Sequence, residues 1–237
     1  MGNRVVMITG SAGGIGTALT AHFRGLGDEV IGLDLANGTD LSVPEVCEAE
    51  VSKVLQEHGR IDLLVNNAGV GAVGDVVDAP AEDWHRVFAV NVFALAHLSK
   101  AVLPGMRSRG EGAIVNTCSI AAVVGLAERA VYTASKGAVL ALTQAMAADE
   151  ARYGIRVNCV SPGTVEGPWV RRLIETAEDP ERTADALRRR QPLGRLVEAT
   201  EVAAAIAYLA EPTTYTTGQN LVLDGGIDAM RLVENSH

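Results

Sequence analysis

The chain has 237 residues, 48% of them hydrophobic and 21% charged, and carries a net charge of −9. That length suits a single α/β domain, and the acidic balance argues against a nucleic-acid partner, which needs a basic face. The three cysteines, Cys47, Cys118 and Cys159, are far apart and form no Cys-x-x-Cys pair, which excludes a disulfide framework and a zinc site of that type.

Val5 to Thr9 is a short β-branched run. Gly10-Ser-Ala-Gly-Gly14-Ile-Gly16 follows, then a helical pattern through Ala18, Leu19, His22 and Phe23. Strand, glycine turn, helix is the context in which backbone approaches a pyrophosphate at a helix N-terminus. Purely structural glycines are the alternative. Glu29 to Asp34 is the next expected strand. It ends in a carboxylate 18 residues after Gly16. An acid at about that distance can accept hydrogen bonds from the adenosine ribose and repels a 2′-phosphate, so Asp34 favours NAD over NADP.

Only eight residues, Leu35 to Ser42, separate Asp34 from a helical pattern over Val43–Leu55. A crossover plus a further parallel strand needs a dozen or more, so a third strand here is expected to be vestigial or missing. Ile61 to Asn66 is a buried strand running into Asn67-Ala68-Gly69. Ala81–Ser108 is expected as one long helix with Asn91 inside its apolar pattern, where a buried amide needs partners.

Ala113 to Ser119 is a strand ending in serine, and Arg156 to Val160 another, running into Ser161-Pro162-Gly163. Cys118 and Cys159 fall in these apolar runs, and core packing is expected of both. Glu166–Gly194 is more polar, with helical pieces near Trp169–Ala177 and Glu181–Arg190. Thr200–Leu209 is an amphipathic helix with Thr200 as its expected N-cap. Asn220 to Gly226 is the last strand and turn. Strands alternating with helices give one α/β domain over residues 1–237, a doubly wound parallel sheet with helices on both faces. No signal-peptide layout precedes the first strand. No apolar run is expected to reach membrane-spanning length. The expectation is a cytoplasmic protein with no membrane partner and no metal.

Tyr132 and Lys136 stand four residues apart ahead of a helical apolar pattern through Val139, Leu140, Leu142 and Met146. Positions i and i+4 share a helix face. A phenol is a poor base at neutral pH, but a nearby cation favours the phenolate. The pair is thus suited to moving a proton to or from an alcohol. A surface Tyr and Lys on an ordinary helix is the alternative.

Together these pieces resemble the short-chain dehydrogenase/reductase family along nearly the whole chain: Thr9-Gly10-x-x-x-Gly14-x-Gly16, Asp34, Asp40-Leu41, Asn66-Asn67-Ala68-Gly69, Asn91, Ser119, Tyr132-x-x-x-Lys136 and Pro162-Gly163. The resemblance implies a Rossmann-type fold and a hydride exchanged between NAD and a secondary alcohol or ketone. It implies that Tyr132 is the general acid/base on the substrate oxygen. Ser119 would hydrogen-bond the same oxygen, Lys136 the nicotinamide ribose, and Asn91 a proton-relaying water. It also places Ala12 and Ile15 of the glycine turn, Leu35, the Asn67–Gly69 backbone, Pro162, Gly163 and Val165 beside the cofactor, with Asp40 and Leu41 flanking the adenine. A homotetramer or homodimer is implied, with the Asn91 and Tyr132 helices and the terminal strand at interfaces.

Two departures from the family pattern stand out. The segment after Asp34 is short, and Gly167 occupies a position where the family often has threonine; Thr164 could substitute. Selectivity is expected in Val70–Asp75, Ile120–Glu128 and a substrate loop near 164–195. The segments Ser161–Arg172 and Gln191–Leu196 resemble sugar dehydrogenases of the L-fucose type. A sugar or sugar acid is therefore the expected substrate, with Trp169 stacking and Glu166 or Arg171 binding polar groups. The alternative for these side chains is lid packing and solvent. The closing Asp224–Met230 segment resembles some hydroxysteroid dehydrogenases, which keeps a steroid or alicyclic alcohol open. A carrier-bound acyl ketone is a further alternative, and a non-catalytic NAD-binding sensor is the competing class.

Overall fold

A computed structural model describes residues 4–230. Six strands form one parallel sheet in the order β2-β1-β3-β4-β5-β6. They are β1 (Val5–Thr9), β2 (Glu29–Leu33), β3 (Leu63–Asn66), β4 (Gly112–Thr117), β5 (Ile155–Pro162) and β6 (Asn220–Leu223). The chain leaves β1 toward β2 on one side and toward β3 on the other. The carboxyl edge between β1 and β3 is therefore the topological switch point, where open α/β sheets bind ligands.

No strand separates β2 from α2 (Pro44–His58). In its place stands one 3₁₀ turn, Leu35–Asn37, capped by Asp34. The expected vestigial strand is thus missing, for the reason its length gave.

The sheet is buried on both faces because its strands are nearly continuous apolar runs. On one face Val6, Ile8, Val65 and Val115 pack with Leu19 and Phe23 of α1 (Gly14–Gly25) and Ile206 of α8 (Ala199–Ala210). On the other, Met7, Leu64 and Ile114 pack with Val51 of α2, Leu98 of α4 (Ala94–Arg109) and Val139 of α5 (Ala130–Glu150). Cys47, Cys118 and Cys159 are free thiols buried in this second core, as packing residues should be.

Three expectations need correction. The Ala81–Arg109 rod is not one α-helix. α3 (Ala81–Phe88) passes into a π turn at Ala89–Phe93 before α4 begins. Such turns gather at functional sites, and this one carries Asn91. The same rod is long and apolar enough, by length and composition, to cross a membrane, contrary to the expectation for the chain. Half of that apolar window is buried against the protein, as in a core helix. Thr200 is not the cap of α8. Glu198 is, in a reciprocal capping box with Glu201, whose carboxylate accepts from the Glu198 N–H at 2.9 Å. Arg195 holds Glu201 in place, and the pairing lowers the Glu201 carboxyl to about 2. The carboxylate at N3 reaches back to the N-cap N–H, whereas Thr200, at the second helical position, stands past the N-cap.

Candidate active site

The glycine turn joins β1 to α1. Gly10 has φ +64°, a conformation that favours glycine. A Cβ on Gly16 would lie 2.0 Å from the Gly10 carbonyl oxygen, so only glycine lets the helix start so close to the turn. Ile15 is half-buried and packs into the α1–α8 core. Gly14 faces Pro168, the first residue of α6 (Pro168–Glu175), at 3.1 Å from its own missing Cβ. The start of α6 therefore leans over the turn.

Asp34 lies at the carboxyl end of β2. Its Oδ2 accepts from the Ala12 N–H at 2.9 Å and its Oδ1 from the Ala36 N–H at 2.9 Å. One carboxylate thus ties the glycine turn to the end of the neighbouring strand. Leu35, next to it, is largely exposed. Asp40 accepts from the Ser42 N–H at 2.9 Å and its hydroxyl at 2.7 Å. Those bonds hold the Asp40 carboxyl below the usual carboxylate range. Leu41 is buried in the core.

Asn67-Ala68-Gly69 is fastened to β1 by a residue not singled out as a site residue beforehand. Thr9 Oγ1 accepts from the N–H groups of Asn67 and Ala68, both at 2.9 Å. The Asn67 amide donates to the Thr9 carbonyl at 3.0 Å and the Gly10 carbonyl at 3.2 Å. Gly10 and Ala68 are close enough that a Cβ on Gly10 would stand 2.9 Å from the Ala68 Cα. Gly69 has Asn91 Oδ1 3.4 Å and Lys136 Nζ 3.5 Å from where its Cβ would be.

Asn91 is buried, with both amide N–H groups and one acceptor position of its oxygen bonded. Oδ1 accepts from the Val70 N–H at 2.8 Å, while Nδ2 donates to the Val70 carbonyl and to Ser135 Oγ, each at 3.0 Å. Its side chain therefore clamps the loop after β3 to α5. The π turn is what presents it there.

Tyr132, Ser135 and Lys136 project from the first turns of α5. Lys136 is 4% exposed, and its ammonium donates to the Thr117 carbonyl at 2.8 Å and lies 5.8 Å from the centre of the Tyr132 ring. Ser119 caps the turn Ile120–Ala122, its Oγ accepting from the Ala121 N–H at 3.1 Å. That turn packs on α5. Pro162 is buried at the end of β5, and Gly163 faces Gln191 and Asp224 across a gap too narrow for a side chain. Val165 pairs with Val197 and packs into the core. Beneath α5 the Cys118 thiol donates to the Lys136 carbonyl at 3.2 Å. A hydrogen bond from Cys159 and the Lys136 charge pull the Cys118 thiol down, and the same contact pushes Cys159 up.

A nicotinamide dinucleotide fits this arrangement. Backbone rich in glycine and alanine runs from Gly10–Gly16 past Ala68-Gly69 to Gly163 at the carboxyl ends of β1, β3 and β5. The buried ammonium beside it has three donors, of which Thr117 takes one, and burying a charge is costly unless further partners are supplied. Ribose hydroxyls are such partners.

Residues 34–228 match the family model described as enoyl-(acyl carrier protein) reductase. The chain is 36% identical over 236 residues to dehydrogenase/reductase SDR family member 6 of Aquarana catesbeiana, covering 94% of this chain and 96% of that one.

The chain belongs to the short-chain dehydrogenase/reductase family.

It is also 34% identical to the L-fucose dehydrogenase of Mus musculus, covering 95% of this chain and 88% of that one. Among solved structures, a NAD+-bound xylitol dehydrogenase superposes with a TM-score of 0.87 at 32% identity, covering 94% and 98% of the two chains. The chain is an oxidoreductase of the type that acts on CH–OH groups with a nicotinamide cofactor.

Proposed function

We propose that this chain is an NAD(H)-dependent oxidoreductase of a secondary alcohol or ketone, with a sugar or sugar acid as substrate. The supporting observation is the convergence of Gly69, Asn91 and Lys136 within contact distance, with Tyr132 on the same stripe of α5. When bound, the nicotinamide supplies the hydride acceptor or donor. Tyr132 takes the hydroxyl proton, with the Lys136 ammonium 5.8 Å from the centre of its ring. Ser119 steadies charge developing on the substrate oxygen. Asn91 fixes the loop that lies beside the cofactor and, on this reading, holds the water that relays protons from Lys136.

Asp34 supports NAD over NADP, because a carboxylate facing the adenosine ribose accepts its hydroxyls and repels a 2′-phosphate. Leu35, Asp40 and Leu41 complete the adenine side, and Val165 with Pro162 and Gly163 the nicotinamide side. Sugar substrates are supported by the fucose and xylitol dehydrogenases among its relatives. Trp169, 63% exposed on the lid helix, is free to stack on a sugar face. The reading includes a homotetramer or homodimer joined through the outer faces of α4 and α5 and the terminal strand β6; Phe93, in the π turn just ahead of α4, stands half exposed. Three buried free thiols suit the reducing cytoplasm.

The test is an oxidation screen with NAD and NADP in parallel against aldoses, polyols, sugar acids and hydroxysteroids. NADH formation from a sugar or sugar acid supports the proposal; cofactor binding with no turnover across the panel contradicts it. Light scattering at micromolar concentration should report an oligomer, and a monomer would refute that part.

A further inference from the structure

The inference rests on the dehydrogenase proposed above and adds a residue to its proton-transfer site. Ser135 stands between Tyr132 and Lys136 on α5 and is 0% exposed. Alanine is the better helix former at such a position, and a hydroxyl taken out of water is costly unless it is bonded. The Ser135 hydroxyl is bonded on both sides. It donates its proton to the Tyr132 carbonyl at 2.7 Å, since a carbonyl has none to give. Toward Asn91 the same oxygen is therefore left to accept, and it does so from Nδ2 at 3.0 Å.

This bond decides which end of the Asn91 amide faces α5. The nitrogen donates to Ser135 and to the Val70 carbonyl, while the oxygen accepts from the Val70 N–H at 2.8 Å. That oxygen lies 3.4 Å from the point where a Cβ on Gly69 would stand, and Lys136 Nζ lies 3.5 Å from the same point. The negative end of the amide and the buried ammonium thus flank one glycine. Turned over, the amide would set its N–H groups toward the cation and its oxygen against two acceptors.

α5 carries a second bond of the same kind, which serves as a comparison. Thr143, about two turns further on, is also 0% exposed. It donates to the Val139 carbonyl at 2.7 Å and accepts from Asn116 Nδ2 at 2.9 Å. That link leads on to Asn66 at 2.9 Å, across β4 and β3. The two hydroxyls share helix, burial and bonding pattern. They differ in what their asparagine touches.

We infer that Ser135 is a positioning residue for the proton transfer. Its hydroxyl ties Asn91 to α5, and through Asn91 it holds the loop at Gly69 against the Lys136 ammonium beside Tyr132. Without that hydroxyl a buried N–H of Asn91 loses its acceptor, and the loop is no longer fastened to the helix that carries the phenol.

The experiment compares the full chain with Ser135→Ala and Thr143→Ala. NADH formation is followed with the aldoses, polyols and sugar acids of the screen above, L-fucose and xylitol among them. Urea midpoints report stability, fluorescence titration reports NADH affinity, and hydrogen exchange reports protection of the Val70 N–H. Ser135→Ala should lower kcat about tenfold or more on any compound oxidised, with KM and NADH affinity within about threefold of the parent. Thr143→Ala should lower the urea midpoint at least as far and keep kcat within about threefold. An unchanged kcat in Ser135→Ala, or an equal fall in Thr143→Ala, overturns the assignment. If nothing is oxidised, the dehydrogenase proposal fails, and hydrogen exchange still decides for Ser135. Val70 protection lost in Ser135→Ala and kept in Thr143→Ala supports the link. Protection kept in Ser135→Ala, or lost equally in both variants, overturns it.

Discussion

The Lys136 ammonium lies 5.8 Å from the centre of the Tyr132 ring and is anchored at 2.8 Å to the carbonyl of Thr117. The anchor comes from β4 and the phenol from α5, so sheet and helix together set the distance. Lys136→Met removes the buried ammonium from beside the phenol and from the Thr117 carbonyl. It should lower kcat/KM at neutral pH by about tenfold or more and weaken NADH binding. Unchanged turnover and NADH affinity would detach the lysine from the site.

Asp34 joins the glycine turn to the end of β2 through the Ala12 N–H. Asp34→Ala removes both that bond and the acid expected at the ribose. The kcat/KM ratio of NAD to NADP should fall by about tenfold or more, a change worth about 1.4 kcal/mol. A ratio unaffected by the substitution would take Asp34 out of cofactor choice.

Two glycines near the cofactor strip should behave oppositely. Gly16→Ala drives a methyl into the Gly10 carbonyl and should cost about 3 kcal/mol or more, read as a lower urea midpoint and lost NADH binding. Gly167 has extended backbone at φ −177° and nothing within 4 Å of a prospective Cβ. Gly167→Ala should shift stability by no more than about 0.5 kcal/mol. Gly167→Thr should fold equally well and tests whether a hydroxyl there tightens NAD binding.

The thiols give a further check on the core. Cys47, Cys118 and Cys159 are at most 2% exposed, and burial pushes the Cys47 thiol up to about 11. A thiol reagent at pH 7 should label none of them in the native protein and all three in denaturant. Rapid native labelling of Cys118 would mean that the floor beneath Lys136 opens.

Much of this was legible in the sequence, because the informative features are local. Glycine turns, apolar strands and the Tyr132–Lys136 spacing act over a few residues, and eight residues after Asp34 were visibly too few for another strand. What was hidden depends on partners distant in sequence. The π turn at Asn91 is fixed by bonds to Val70 and Ser135. Thr9 acquires its role only when Asn67 and Ala68 arrive beside it. Thr200 resembled a cap, but Arg195 fixes Glu201, which claims the end of α8 instead. The joining of Gly74 to Arg129 is likewise a contact between loops 55 residues apart in the chain.

The most direct measurement is NADH formation by Tyr132→Phe beside the parent, with NADH binding followed in the same preparations. Loss of the hydroxyl should lower kcat by about 10²–10⁴-fold while NADH affinity stays within a few-fold of the parent. Turnover equal to the parent's would contradict the assignment of Tyr132 as the group that takes the substrate proton.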